Sequence, residues 1–439
     1  MTAFDVLSVT LPPQPPPELL VADVQEPAAN AHGDSFSLPL KGIVLGRDLA
    51  VTAVEVLHNG RVIQSAKPEL PFGNLARGRP ALGERFPDVD PHALAGFETM
   101  VGLLGVGVEA TFEVLAALED GGQAHMATIE LRREPLRPPF EPRLRPVMLT
   151  GPPRTGSTWL MKMMGAHPSV VVYDEYPYET WPAKYWTHAL KVLADPGDTV
   201  HSVRPLAIDR DPFHAGRNPF HNHRSARLHG LGDWFGRTHV ERLASFFMQT
   251  IDDWYLTVAR LQEVRDPICF AEKQMTRFEV SPPLIWELYP EAREVFLVRD
   301  FRDLACSDIA FSTDPRTGQT RGRLAGATRE RYVLDDLRPL VLNFLEAWRS
   351  RRDRAHLVRY EDLVRSPHET LTAMLDYLGL EGGGDTIDAM LAASPEQASH
   401  RTTPDLEASV GRWRDEDDDF RTLIEREFDD LLPEFGYED

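Results

Sequence analysis

The stretch RPVMLTGPPRTGSTWLMKMMGAHP, residues 145–168, reads as a strand, a glycine-containing loop and a helix. A loop in that position aims successive backbone N–H groups at an anion, and the N-terminus of the following helix adds its dipole. Thr155, Ser157 and Thr158 place hydroxyl donors beside those amides, and Arg154 adds a fixed positive charge. A nucleoside-triphosphate P-loop reads GxxxxGK[ST], with lysine directly after its second glycine. Here Ser157 follows Gly156, so that lysine is missing. Anion binding stands beside the plainer reading of a structural strand–turn–helix. A second cluster lies in VFLVRDFRDLACSDIAFS, where Arg299 closes an apolar run and Ser307 follows eight positions later. A guanidinium at a strand end can make a charge-assisted bond to phosphate, and a serine on the next helix can donate its hydroxyl. The alternative is an ion pair between Arg299 and Asp300.

With both clusters in this order, the chain resembles the sulfotransferases. Their donor loop reads P-[KR]-[ST]-G-[ST]-T-W/L after the first strand, and PPRTGSTWL matches it position by position. The resemblance implies that Arg154, Thr155, Gly156, Ser157 and Thr158, with Trp159 beside them, wrap the 5′-phosphosulfate of 3′-phosphoadenosine 5′-phosphosulfate. It implies that Arg299 and Ser307 hold the 3′-phosphate. Arginine at the loop position is usual in the bacterial, Golgi-type and tyrosylprotein-type branches. Two later echoes follow in order. LVRYEDLVRSPHETLTAMLDYLGL puts Tyr360 near the adenine end of the donor, and VGRWRDE puts Arg412 near the 3′-phosphate. Trp413 is read as a packing residue.

The tyrosylprotein-type branch places its base, a glutamate, at the end of the second strand after an AHP-containing helix. In AHPSVVVYDEYPYE, Glu175 falls at the matching offset from Arg154. A carboxylate there can take the acceptor proton as the nucleophile attacks sulfur. Asp174 is its nearest competitor and Glu179 a poorer one, while His167 reads as structural. Lys273, in FAEKQMTRF, occupies a strand end where relatives often carry lysine, and its charge can serve the leaving phosphate or the sulfonyl oxygens. A salt bridge with Glu272 explains it equally well. The resemblance implies adenosine 3′,5′-bisphosphate as product, no metal, and a small-molecule, sugar or lipid acceptor with a hydroxyl or amine. Two rivals are a P-loop-type kinase or NTPase, which needs a Walker lysine and an acidic magnesium ligand, and a nucleotide-binding module without turnover.

The elements that must position these residues fall into zones. Residues 1–30 carry Pro12, Pro13, Pro15, Pro16 and Pro17, and read as an extended arm excluded from helix and central strand. Residues 31–135 read as an accessory β-sandwich, with hairpins turning at Asn59-Gly60 and Asp120-Gly121-Gly122 and a long loop over 68–91. Proline-rich residues 136–146 read as a linker. From 147 to 439, apolar runs alternate with amphipathic segments, giving an α/β domain with a P-loop-like parallel sheet flanked by helices. VMLTG, SVVVYDE, PICFAEK, REVFLVRD and AHLVRYE are its expected strands. In VERLASFFMQTIDDWYLTVARLQEV, Leu243, Phe246, Phe247, Trp254, Val258 and Leu261 predict the core face of a helix. The histidines of 214–230 read as a loop lining the acceptor pocket.

Composition sets the remaining bounds. The formal net charge of −21 argues against a nucleic-acid or anionic-membrane binder, yet leaves room for an anionic ligand held by local donors. The run from Asp415 to Asp419 reads as a solvated face. No apolar stretch approaches the ~20 residues of a membrane span, and the N-terminal residues show no secretory pattern. The two cysteines, Cys269 and Cys306, exclude a disulfide framework and suit a reducing cytoplasm.

Overall fold

The computed structural model describes residues 2–14, 16–175, 178–194, 238–274, 282–314, 316–393 and 405–437. The chain forms two compact units, one of residues 1–140 and 186–247, the other of 141–185 and 248–439.

The first unit contains two antiparallel sheets. The six-stranded sheet runs, in spatial order, His32–Gly33, Phe4–Thr10, Gln123–Arg133, Glu109–Leu118, Val51–His58 and Arg61–Ala66. The four-stranded sheet runs Leu19–Glu26, Ser37–Gly46, Leu94–Gly102 and Leu70–Pro71. Asn59 and Gly60 join two of these strands with φ of 51° and 73°. Positive φ at both central residues is the backbone that a two-residue hairpin requires. Gly121, at φ 87°, sits in the turn of the second expected hairpin.

The opening residues depart from the expected arm. Phe4–Thr10 is an interior strand, paired with Gln123–Arg133 on one side and His32–Gly33 on the other, and Phe4 and Val6 are buried. Pro12, Pro13, Pro16 and Pro17 lie in the connection from this strand to Leu19–Glu26 of the other sheet, outside both strands. The segment 68–91 is likewise no plain loop. It carries the strand Leu70–Pro71 and the short helices Phe72–Gly78 and Pro80–Arg85. Pro80 is the first residue of its helix, where a fixed φ helps and no amide is missed.

The second unit is built on a parallel sheet with the order Val170–Val171, Cys269–Gln274, Arg145–Thr150, Arg293–Val298 and Ala355–Arg359. Its central strands are buried from both faces, which is why Arg145–Thr150 and Arg293–Val298 read as apolar runs, while Cys269–Gln274 buries the polar Glu272, Lys273 and Gln274. Each fully buried Val, Leu or Phe contributes roughly 1.5–3 kcal/mol. Helices Ser157–Gly165, Phe301–Ser312, Arg338–Arg351 and Pro367–Leu378 supply the covering apolar faces.

The helix Val240–Leu261 buries a stripe that shares only Phe247 and Val258 with the expected one. Val240, Ala244, Phe247, Met248, Ile251, Tyr255, Val258 and Ala259 are buried at three- and four-residue spacing. Phe246, Trp254 and Leu261 are exposed at 57%, 42% and 80%. Phe247 and Val258 are buried as expected, but Ala and Tyr residues complete the buried face, so counting large apolar side chains placed its centre wrongly.

Candidate active site

The parallel strands all deliver their carboxyl ends to one edge of the sheet. Open α/β sheets bind ligands there. Thr150 leads into the loop 151–156, Val298 into Arg299, and Arg359 into Tyr360, while Lys273 is the penultimate residue of its strand.

The loop is held by backbone conformation and by its neighbours. Arg154 and Gly156 adopt left-handed φ of 68° and 89°. A Cβ at Gly156 would lie 2.8 Å from the Tyr360 ring, so glycine is required twice over. The Thr155 hydroxyl donates to the Pro152 carbonyl at 2.8 Å, which turns it inward as a brace. Gly156, which has no side chain to cap with, is the N-cap of the helix Ser157–Gly165. The N–H groups of its first turn, the buried Ser157 and the dipole behind them form a ready acceptor site for an anion.

Two cations flank the loop. The Arg154 guanidinium lies over the Phe311 ring at 4.3 Å. The Lys273 ammonium, 1% exposed, donates to Thr158 Oγ1 at 3.1 Å and faces Glu179 Oε1 at 3.5 Å. Burial pushes its pKa down, Glu179 pulls it back up, and Arg154 opposes Glu179. The expected alternative, a pair with Glu272, does not form. Successive strand residues face opposite ways, and Glu272 instead accepts from the Tyr255 hydroxyl and the Ala183 amide, both at 2.7 Å.

Arg299 is a junction rather than a free strand-end cation. Its Nη1 donates to the Arg154 carbonyl at 3.2 Å, its Nη2 to the Ser409 carbonyl at 2.5 Å, and its plane lies over Tyr360 at 4.6 Å. Its Nε is buried with no hydrogen-bond partner among the described residues. The alternative ion pair with Asp300 is not made, because Asp300 caps the next helix and pairs with Arg302 at 2.9 Å. Ser307 is buried on that helix. The Tyr360 hydroxyl meets Ser409 Oγ at 2.8 Å, and its ring meets Trp159 edge-on at 6.0 Å. Arg412 opens the short helix Arg412–Asp415, and its charge acts on the Cys306 thiol, next to Ser307. Trp413 is buried in the core, between the guanidinium groups of Arg302 and Arg414 at 4.2 and 4.5 Å.

The acidic segment after the second strand is less regular than expected. That strand ends at Val171, so alternation does not separate Asp174 from Glu175. Both are exposed, and each accepts from its own tyrosine: Tyr178 to Asp174 at 2.8 Å and Tyr173 to Glu175 at 2.7 Å. The Glu175 carboxylate raises the pKa of the Tyr173 hydroxyl, which therefore remains a donor. His167 is structural: its Nδ1 accepts from the Ser169 amide, its Nε2 meets the Glu381 carbonyl, and burial pushes its pKa down. The histidines of 214–230 lie outside the described residues. Sequence reasoning missed Ser409, Asp303 and Phe311, although Asp303 and Phe311 both lie within the segment quoted for Arg299.

The family model described as “Sulfotransferase family” matches residues 146–384, more than half of the 439 residues. The match spans the loop, Lys273, Arg299 and Tyr360. Comparison with curated proteins gave no match. Among solved structures, the chain is similar to sulfotransferase STF9 from Mycobacterium avium, at 16% identity and TM-score 0.35 over 68% of this chain and 78% of that one. It is similar to mouse sulfotransferase SULT7A1 complexed with PAP, at 11% identity and TM-score 0.37 over 67% and 86%. A third is the sulfotransferase domain from the Synechococcus PCC 7002 olefin synthase, at 19% identity and TM-score 0.33 over 70% and 100%. The chain belongs to the sulfotransferase family.

Proposed function

We propose that this protein transfers a sulfonyl group from 3′-phosphoadenosine 5′-phosphosulfate to a hydroxyl or amine of a small-molecule, sugar or lipid acceptor. The observation that carries the reading is the pairing of two anion sites at one sheet edge. One is the helix start after the left-handed Gly156; the other is Arg299, whose buried Nε has no described partner. Their separation onto adjacent strands suits a nucleotide with phosphates at two positions, and Tyr360 and Trp159 supply the aromatic surface between them.

The bound donor would supply an activated sulfur and a phosphate leaving group. Glu175 takes the proton from the acceptor as its oxygen or nitrogen bonds to sulfur and the bond from sulfur to the bridging oxygen breaks. Tyr173 orients that carboxylate. Arg154, Lys273, Thr158 and the amides of Ser157 and Thr158 face the charge that gathers on the bridging and sulfonyl oxygens. Glu179 is committed to Lys273, while Asp174 and Glu175 are both exposed and each accepts from a tyrosine hydroxyl; the offset from Arg154 favours Glu175 over Asp174. Arg299, Ser307 and Arg412 would hold the 3′-phosphate. Positioning and fixed charge do most of the work, as in phosphoryl transfer. Cytoplasmic operation suits two buried free thiols; no described helix is long and apolar enough to cross a membrane.

The test is incubation with sulfur-labelled donor and a host small-molecule extract, followed by mass spectrometry. Label appearing in an acceptor and lost in Arg154→Ala supports the reading. Magnesium-dependent ATP turnover without any labelled product would replace it with a kinase or NTPase.

A further inference from the structure

Beyond the residues that reach the donor, one buried carboxylate organises the segment that would close over it. Asp303 is 1% exposed on the helix Phe301–Ser312. Its Oδ2 accepts the Gly411 amide at 2.6 Å and its Oδ1 accepts the Trp413 amide at 3.0 Å. The two gripped amides bracket Arg412, so the backbone that carries Arg412 is fixed on both sides by a single side chain. Gly411 makes this possible: its φ is 74°, and a Cβ there would lie 2.6 Å from the Arg414 guanidinium. The same segment is held two residues earlier, where Arg299 binds the Ser409 carbonyl and Tyr360 binds the Ser409 hydroxyl.

We propose that Asp303 is a positioning residue, a latch that fixes Gly411–Trp413 so that Arg412 reads the donor's 3′-phosphate. The proposal rests on the donor reading above and extends it to a residue that touches no ligand. A buried carboxylate that accepts two N–H groups makes charge-assisted bonds, the strong kind. Arg299 lies close enough to favour its ionised form, against the burial that disfavours it. The latch therefore ties one 3′-phosphate cation to the seat of the other.

Asp303→Asn keeps the shape and one acceptor oxygen but removes the charge and the second acceptor. Two readouts decide the matter: amide hydrogen exchange at Gly411 and Trp413, and calorimetric affinities for adenosine 3′,5′-bisphosphate and adenosine 5′-monophosphate. Exchange at the two amides should rise by about tenfold or more while core amides hold, the size expected for loss of a charged hydrogen bond. Bisphosphate affinity should fall by about tenfold with monophosphate affinity within about twofold, so that discrimination for the 3′-phosphate collapses. Unchanged exchange, or equal losses for both nucleotides, would overturn the proposal. If wild-type protein binds neither nucleotide, the donor reading fails and exchange alone decides the latch. Gly411→Ala disturbs the same segment from the other side and should give the same selective loss. If Asp303→Asn does not fold, an equal loss or no loss in Gly411→Ala overturns the latch.

Discussion

Replacing Glu272 by glutamine should flatten the pH dependence of stability. Glu272 is buried, with its Oε1 accepting from Tyr255 and Ala183 and its Oε2 facing the Lys184 amide at 3.4 Å. Burial raises its pKa from 4.5 to about 7, against the opposing pull of those three donors. The folded protein therefore keeps a proton that the unfolded chain releases. This contribution is fully present below pH ~4.5 and is lost as pH rises through about 7. At ~1.4 kcal/mol per pH unit, the loss between pH 5 and pH 8 is about 2.5 kcal/mol. Glutamine can keep both short bonds, because both fall on Oε1, and it does not titrate. Urea unfolding of wild type and Glu272→Gln at pH 5, 6, 7 and 8 reads the difference directly. The wild type should lose about 2–3 kcal/mol relative to the variant over that range, roughly 5–10 °C in Tm for a unit of this size. Parallel profiles across the range would refute the argument and show that Glu272 ionises in the same range folded and unfolded.

Three further outcomes are expected. Glu175→Gln should leave nucleotide binding and Tm near wild type and slow the chemical step by about 10²–10⁴ in single-turnover assays, the usual reach of a general base; Asp174→Asn should be milder. Arg299→Ala should weaken adenosine 3′,5′-bisphosphate binding by roughly 1.5–3 kcal/mol in calorimetry, with little effect on an analogue that lacks the 3′-phosphate. Gly156→Ala should destabilise the protein by about 2–4 kcal/mol in urea titration, since left-handed φ and contact with the Tyr360 ring both penalise a Cβ.

The loop and strand ends of the parallel sheet were more legible than the β unit that precedes them. The apolar run ending in Arg299 could be read because a doubly covered central strand buries nearly every residue, while the run into Tyr360 is an edge strand with only Val358 buried. The loop could be read because glycine at 156 and the hydroxyls after it are local in sequence. Phe4–Thr10 escaped because nearby prolines dominated the composition, although they occupy only the connection. Phe246 and Trp254 misled because size was taken for burial, whereas Ala244 and Ala259 lie on the buried face. Asp303 and Ser409 act through backbone groups about a hundred residues away. Side-chain-to-backbone bonds across that distance constrain no neighbouring residue type and so leave no pattern.

The central claim is that the sheet edge holds a nucleotide with phosphates at both its 3′ and 5′ positions. Calorimetric titration with adenosine 3′,5′-bisphosphate, beside ATP with magnesium, tests it without knowledge of the acceptor. At a hundredfold excess over Kd the bisphosphate should also stabilise the fold by about 2.7 kcal/mol. The account predicts saturable one-to-one binding of the bisphosphate, weakened in Arg299→Ala, and much weaker binding of ATP. Equal affinity for the two nucleotides, or no heat with the bisphosphate, would contradict it.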